Sequence, residues 1–209
     1  MKEIAKILLD IKAVALSPDE PFTWASGIKS PIYCDNRLIL SYPEERDTVE
    51  NALAEMIKNE YSDAEYIMGT ATAGIPHGAL VAERLNLPMG FVRSSKKDHG
   101  KQNQIEGKIE KGAKVVVVED LFSTGGSSID VALALEEAGF EVLGIVSIFT
   151  YNLPAADENF KKHNLSHVSL TNYEELTEYA KEINYISESQ LKKLTEWRKN
   201  PEDESWMNL

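Results

Sequence analysis

Residues 114–128 read KVVVVEDLFSTGGSS, and this stretch decides the fold. Four consecutive valines without polar alternation are typical of a strand buried on both faces, as in a parallel sheet. Two carboxylates, Glu119 and Asp120, follow the valines. A loop of hydroxyls and glycines then leads into a helical pattern that runs to Gly139. The order of strand, acidic pair, small-residue loop and helix predicts half of a β–α–β unit, and therefore an α/β domain with a parallel sheet.

The composition of the loop indicates a phosphate ligand. Glycines let the backbone approach an oxyanion closely, and backbone N–H groups at a helix N-terminus attract anions. The hydroxyls of Ser123, Thr124 and Ser127 add neutral donors. The two acids repel phosphate, but they suit ribose hydroxyls or a metal-bound sugar phosphate. The alternative is an ordinary capped turn, where acids, serine and threonine are also common.

The segment resembles the motif by which type I phosphoribosyltransferases bind phosphoribosyl pyrophosphate (PRPP). It has neither the G-K-[ST] of a Walker A loop nor the G-x-G-x-x-G of a dinucleotide fingerprint. The resemblance implies the parallel-sheet core of that family and a catalytic role for Asp120. It also implies that PRPP contacts Glu119, Asp120, Leu121, Phe122, Ser123, Thr124, Gly125, Gly126 and Ser127.

A second segment narrows the base that such an enzyme would use. Residues 22–37 read FTWASGIKSPIYCDNR, which predicts two short strands around Gly27. The segment resembles the F-T-x-x-S-G-x-K-S-P signature of orotate phosphoribosyltransferases, where it forms a hood over the pyrimidine. The resemblance implies orotate contacts from Lys29, Tyr33 and Cys34, together with Ser123 of the loop. Taken alone, the segment also fits a plain hairpin with an exposed lysine.

A third segment, residues 65–74, reads EYIMGTATAG and predicts a buried strand followed by a bare loop. A helix is predicted from about residue 75 to 86. The corresponding loop in the family contacts pyrophosphate. The segment can also be interpreted as an ordinary tight strand-to-helix turn, and such a turn is compatible with a pyrophosphate contact.

A basic loop follows the next predicted strand, residues 89–93. Residues 93–108, RSSKKDHGKQNQIEGK, concentrate cations in a chain whose formal net charge is -12, which indicates a polyanionic substrate. The resemblance implies that Lys97 and His99 are catalytic and that Arg93 and Lys96 join them in binding PRPP. It further implies a homodimer in which the 94–106 loop serves the neighbouring subunit. A solvated surface loop is the alternative.

Length, charge and cysteine content limit the number of domains, the class of partner and the cellular compartment. A chain of 209 residues fits one domain, with hood elements in about 1–40 and the core in about 41–209. The acidic balance argues against nucleic acid or an anionic membrane surface as partner. Cys34 is the single cysteine, so no intrachain disulfide can form. Charges interrupt the apolar N-terminus, which therefore lacks the apolar region of a signal peptide, and we expect a cytoplasmic protein.

The other segments complete the α/β pattern. An amphipathic helix is predicted over residues 2–16, a core-covering helix over 43–60 and a buried strand over 141–150. The C-terminal part is predicted to contain a helix over 155–163, an edge strand over 167–170, and helices over 173–182 and 188–199. The acidic tail is expected to be loose, although Trp206 could dock.

The three motifs stand in the family's order, and the resemblance implies an orotate phosphoribosyltransferase that forms orotidine 5′-monophosphate and pyrophosphate from orotate and PRPP. Mg²⁺ is expected as cofactor, held by substrate and water and not by protein side chains. Ala25, Ala73 and Ser94 stand where the family often has lysines, and no arginine follows residues 141–150 to meet the orotate carboxylate. Lys29, Arg37 and Lys96 are candidates to supply these charges. A phosphoribosyltransferase for another base and a non-catalytic PRPP-sensing regulator are the alternatives.

Overall fold

The computed structural model describes residues 2–24, 26–93 and 104–209. Its helices and strands are, in chain order, α1 (Lys2–Asp10), β1 (Val14–Leu16), β2 (Phe22–Thr23), β3 (Lys29–Ser30), β4 (Ile32–Cys34), α2 (Pro43–Glu60), β5 (Tyr66–Thr70), α3 (Gly74–Leu85), β6 (Met89–Val92), β7 (Ile105–Glu106), β8 (Lys114–Phe122), α4 (Gly126–Ala138), β9 (Glu141–Thr150), α5 (Pro154–Lys162), β10 (His167–Asn172), α6 (Tyr173–Glu182) and α7 (Glu188–Lys199).

The core is a six-stranded sheet in the order β10-β9-β8-β5-β6-β7. Every neighbouring pair is parallel except β6 with β7. The predicted α/β class with a parallel sheet is therefore confirmed, and β10 lies at an edge as expected. The short β7 was missed, because its two residues are too few to show a pattern.

The valine run lies at the centre of this sheet. Val115 and Val117 belong to the apolar cluster on one face, and Val116 and Val118 belong to the cluster on the other. All four are fully buried, because α4 and α5 cover the first face while α1, α2, α3, α6 and α7 cover the second. β8 then runs on through the acidic pair to Phe122, so both acids belong to the end of the strand.

The N-terminal segment departs from the prediction. The predicted helix over residues 2–16 ends at Asp10, and Lys12 takes a left-handed φ of 59°. Val14–Leu16 is instead a strand, because it pairs with Ile32–Cys34 in an antiparallel two-stranded sheet. The strands predicted around Gly27 are confirmed as the β2–β3 hairpin, and Gly27 has the positive φ of 91° that the turn requires.

The C-terminal residues secure that N-terminal segment. Trp197 on α7 is fully buried and its Nε1 donates to the carbonyl oxygen of Lys29 at 3.0 Å. Trp24 packs edge-on against Trp197 with ring centroids 5.6 Å apart. The tail is not loose, since Trp206 is 2 % exposed within a 3-10 turn, Glu204–Asn208. In the described part of the chain, no helix combines the length and the apolar character needed to cross a membrane.

Candidate active site

Two loops meet at the carboxyl ends of the neighbouring parallel strands β5 and β8. They enclose a cavity of about 260 Å³. Parallel α/β sheets bind ligands at this edge, where helix N-termini point toward the cavity. The cavity is lined by Ala71, Thr72, Ala73, Glu119, Asp120, Leu121, Ser123, Thr124, Gly125, Gly126, Ser127 and Ser128.

Glycine allows these loops to approach so closely. A Cβ added to Gly74, the first residue of α3, would lie 2.4 Å from the carbonyl oxygen of Val118. Gly125, which caps α4, has a φ of 77°, and a Cβ there would lie 2.8 Å from the ring of Phe160. The first turns of α3 and α4 are therefore seated directly against β8 and α5.

The two acids at the end of β8 have different surroundings. Glu119 is 7 % exposed; its Oε1 accepts from its neighbour's backbone N–H at 3.0 Å, and its Oε2 accepts from Ser128 Oγ at 3.2 Å. Burial raises the pKa of Asp120 to about 7, and a hydrogen bond and the charge of Glu119 add to the rise. His77 opposes it by electrostatic attraction. Glu119 thus secures the loop, while Asp120 has a pKa close to neutral pH.

A polar chain connects the N-terminal strands to this site. Cys34 Sγ donates to Asn36 Oδ1 at 3.4 Å, and Asn36 Nδ2 donates to the carbonyl oxygen of Asp120 at 2.8 Å. Burial raises the pKa of the Cys34 thiol, and the charges of Asp120 and Asp35 contribute. Asn36 was missed in the sequence. It is fully buried two residues after the end of β4, and this position near a strand end was the available sequence signal.

The predicted site residues are only partly brought together. The cavity is lined by Glu119, Asp120, Leu121 and residues 123–127. The side chain of Phe122 is instead buried against Phe160. Tyr33 is 47 % exposed at β4. Lys29 does not line the cavity, and its Nζ donates to Thr23 Oγ1 at 2.7 Å.

Most of the basic loop lies outside the described residues. Lys96, Lys97 and His99 fall there, as do Ser94 and, in the hairpin, Ala25. Arg93 is described: it follows β6, and its Nε lies 3.2 Å from Glu106 Oε1. Within the described ranges, no group of three or more His, Cys, Asp or Glu side chains could hold a metal ion.

A buried pair that no sequence motif indicates lies behind the cavity. His77 Nδ1 lies 2.5 Å from Glu50 Oε1, and neither side chain is exposed. Neither residue belongs to a motif that the sequence reveals. A lone acid within the apolar stripe of α2, beside Val49 and Leu53, was the available signal.

Comparisons with known proteins agree with this geometry. The family model described as Phosphoribosyl transferase domain matches residues 39–180, which include both cavity loops. A curated orotate phosphoribosyltransferase of Bacillus pumilus (strain SAFR-032) is 60 % identical over 205 residues, covering 98 % of this chain and 97 % of the relative.

Two solved structures are similar over most of the chain. Orotate phosphoribosyltransferase from Aeropyrum pernix aligns with a TM-score of 0.76 at 28 % identity, covering 88 % of this chain and 99 % of that one. Leishmania donovani UMP synthase aligns with a TM-score of 0.81 at 27 % identity, covering 94 % of this chain and 42 % of that one.

Proposed function

The chain belongs to the orotate phosphoribosyltransferase family, and from that premise we propose how it transfers the phosphoribosyl group of PRPP to orotate in pyrimidine biosynthesis. The observation that carries the mechanism is the cavity in which the acidic pair of β8 meets the hydroxyl- and glycine-rich start of α4. The products are orotidine 5′-monophosphate and pyrophosphate.

The reaction displaces pyrophosphate at the anomeric carbon through a transition state with oxocarbenium character. Catalysis therefore stabilises positive charge on the ribose ring and negative charge on the leaving group. In our proposal, Asp120 in its carboxylate form binds ribose hydroxyls, and its negative charge stabilises the positive charge that develops on the ring. Glu119 keeps the loop in place. Backbone N–H groups of residues 123–127 bind the 5′-phosphate.

The leaving group needs cations. We assign Arg93, Lys96, Lys97 and His99 to the pyrophosphate, because they form a basic cluster in a chain of net charge -12. Orotate N1 is already acidic, so the reaction requires no strong general base. These roles rest on the motif resemblance and on the composition of the cavity.

The test of the reaction is pyrophosphate release from PRPP with a panel of bases. Orotate should give the highest kcat/KM, and without a base only slow hydrolysis should occur. A purine or uracil that outperforms orotate would contradict the assignment. The same panel tests the regulator alternative, since a PRPP-sensing protein would release no pyrophosphate with any base.

We propose Mg²⁺ as the cofactor, carried to the site on PRPP. The cavity offers hydroxyls, backbone N–H groups and an acidic pair, a donor set that suits a metal held mainly by substrate oxygens and water. Bound in this way, Mg²⁺ would neutralise charge on the pyrophosphate. EDTA should abolish activity and Mg²⁺ should restore it; a metal ion retained stoichiometrically through dialysis without PRPP would contradict the proposal.

We propose further that the enzyme is a homodimer whose 94–106 loop serves the partner's site. Lys97→Ala and Asp120→Asn subunits would each be inactive alone. If the loops act across the interface, random mixing gives roughly half heterodimers with one intact site each, and about a quarter of wild-type activity returns. No recovery, after an independent label has shown subunit exchange, would contradict the shared loop.

Three expectations from the sequence remain proposals of the same kind. We propose one domain over 1–209 with a hood over about 1–40, a cytoplasmic location, and no nucleic-acid or membrane partner. The link from Asn36 to β8 and the net charge of -12 support them. Limited proteolysis and cell fractionation test them: separately stable fragments or a membrane-bound pool would contradict them.

We propose Arg37 as the group that meets the orotate carboxylate. The hydrogen bond and the charge of Asp35 raise the pKa of the Arg37 guanidinium. The preceding residue, Asn36, donates to the carbonyl oxygen of Asp120 at 2.8 Å, so Arg37 follows the link to the acidic pair directly. Its side chain is 61 % exposed, and Arg37 Nε and Nη2 hold Asp35 at 2.6 and 2.9 Å. A guanidinium has five N–H donors, so this pairing leaves others for a ligand.

A further inference from the structure

A carboxyl–imidazole pair, Glu50 and His77, is buried between α2 and α3. Glu50 Oε1 and His77 Nδ1 are 2.5 Å apart, and neither side chain is exposed to solvent. The second polar atom of each group, Glu50 Oε2 and His77 Nε2, has no hydrogen-bond partner among the described residues. The pair is therefore fully desolvated, and in the part of the chain that the structure describes only one of the two polar atoms of each side chain has a hydrogen-bond partner.

Helix packing alone does not account for this pair. Burying polar or ionised side chains carries a desolvation cost, and apolar side chains of similar volume in place of a buried ion pair are often neutral or stabilising. The surroundings favour apolar side chains, since Val49, Leu53 and Val81 are all fully buried in the same cluster. A separate polar link already joins the two helices where Arg84 Nε donates to Asn51 Oδ1 at 2.7 Å.

The position of the pair indicates its role. His77 lies in the first turn of α3, and the residues just before that turn, 71–73, line the cavity. Gly74 in the same turn lies close against the carbonyl oxygen of Val118, one residue before the acidic pair. A small movement of this turn would therefore change the spacing between the 71–73 loop and the end of β8.

We propose that the Glu50–His77 pair positions the PRPP site by holding the first turn of α3, and with it the 71–73 loop, against the end of β8. The two residues touch no substrate and act through the loop. The inference rests on the proposed function for the identity of the ligand. A 1 Å misplacement of a substrate-positioning group can cost about 100-fold in rate, so the pair would be retained for geometry.

The pair also acts on the charge of the site. Of the elements packed against α3, α2 contributes Glu50 and β8 ends in Glu119 and Asp120. Tyr66 of β5 belongs to the opposite face of the sheet, and β6 has no titratable residue. The electrostatic influence of His77 lowers the pKa of Asp120, against the effects of burial and Glu119. Loss of His77 should therefore raise the pKa of Asp120 further.

The experiment compares a stable apolar replacement with a matched control. Glu50→Met/His77→Leu should keep a Tm equal to or above that of the wild type, while its KM for PRPP rises about tenfold or more and its KM for orotate changes little. His77→Gln should move the acidic limb of the pH profile of kcat/KM to higher pH. Arg84→Gln, which removes the other α2–α3 link, should leave the kinetics unchanged.

Kinetic constants of the folded double variant within twofold of wild type would overturn the inference. If that variant does not fold, His77→Gln decides: an unchanged KM for PRPP and an unmoved acidic limb overturn it. Calorimetric titration with PRPP separates this inference from the proposed reaction. A wild type that binds PRPP but does not use orotate would refute the reaction, whereas weaker PRPP binding by the variants would still support the pair.

Discussion

Gly74→Ala tests whether the first turn of α3 must lie directly against β8. Alanine is favoured over glycine in a helix by about 1 kcal/mol, so the change alone would stabilise α3. The new Cβ would lie 2.4 Å from the carbonyl oxygen of Val118 and 2.4 Å from Thr70 Oγ1. Overpacking costs about 1–3 kcal/mol, and we take the upper end because a backbone carbonyl cannot rotate away.

The net loss is then about 2 kcal/mol, which corresponds to a fall in Tm of about 4–8 °C for a domain of this size. Calorimetry measures the Tm, and the KM for PRPP should rise because the 71–73 loop moves with the turn. Gly126→Ala is the matched stability control, since its Cβ would meet only Thr124 Oγ1 at 3.9 Å. It should leave the Tm unchanged or higher. A Tm for Gly74→Ala at or above the wild-type value would refute the reasoning.

The further predictions concern three side chains, Lys97, Asp120 and Arg37. Lys97→Ala should lower kcat strongly and PRPP binding less, because charge on the leaving group grows in the transition state; an unchanged kcat in steady-state assays would remove Lys97 from this role. Because the pKa of Asp120 is raised to about 7, kcat/KM should fall as pH drops through about 7. The folded state holds the Asp120 proton more tightly than the unfolded state, in which the pKa of Asp120 is near 3.8. The stability of the wild type therefore falls as pH rises from about 4 through 7. Asp120→Asn should therefore be more stable than wild type at pH 8 but not at pH 3.5, and equal differences in urea unfolding at both values would contradict this. Arg37→Ala should raise the KM for orotate more than Lys29→Ala does and leave the KM for PRPP unchanged; the reverse ranking would assign the carboxylate to Lys29.

The central strand and its loop were predictable because their signals are local. The valine run has no polar alternation, so burial on both faces followed directly, and Gly125 and Gly126 marked the start of α4. The same holds for α2, where Pro43 at the first position and the spacing of apolar residues fixed the helix.

The errors came from contacts between distant residues. Val14 fits the apolar spacing of α1, yet it pairs with Cys34 on β4, and no local pattern reveals that pairing. Trp206 lies in a polar tail but is buried in the main apolar cluster. Glu50 was visible as an acid in an apolar stripe, but its partner His77 lies on another helix, and only the packed fold brings the two together.

A competition assay tests the central claim most directly. The purified protein is incubated with PRPP, Mg²⁺ and equal concentrations of orotate, uracil, adenine, guanine and hypoxanthine, and the nucleotide products are identified by mass. Under competition the product ratio reports the ratio of kcat/KM values. The account predicts that orotidine 5′-monophosphate is the dominant nucleotide and forms in step with pyrophosphate. A different dominant nucleotide, or the hydrolysis product ribose 5-phosphate alone, would contradict it.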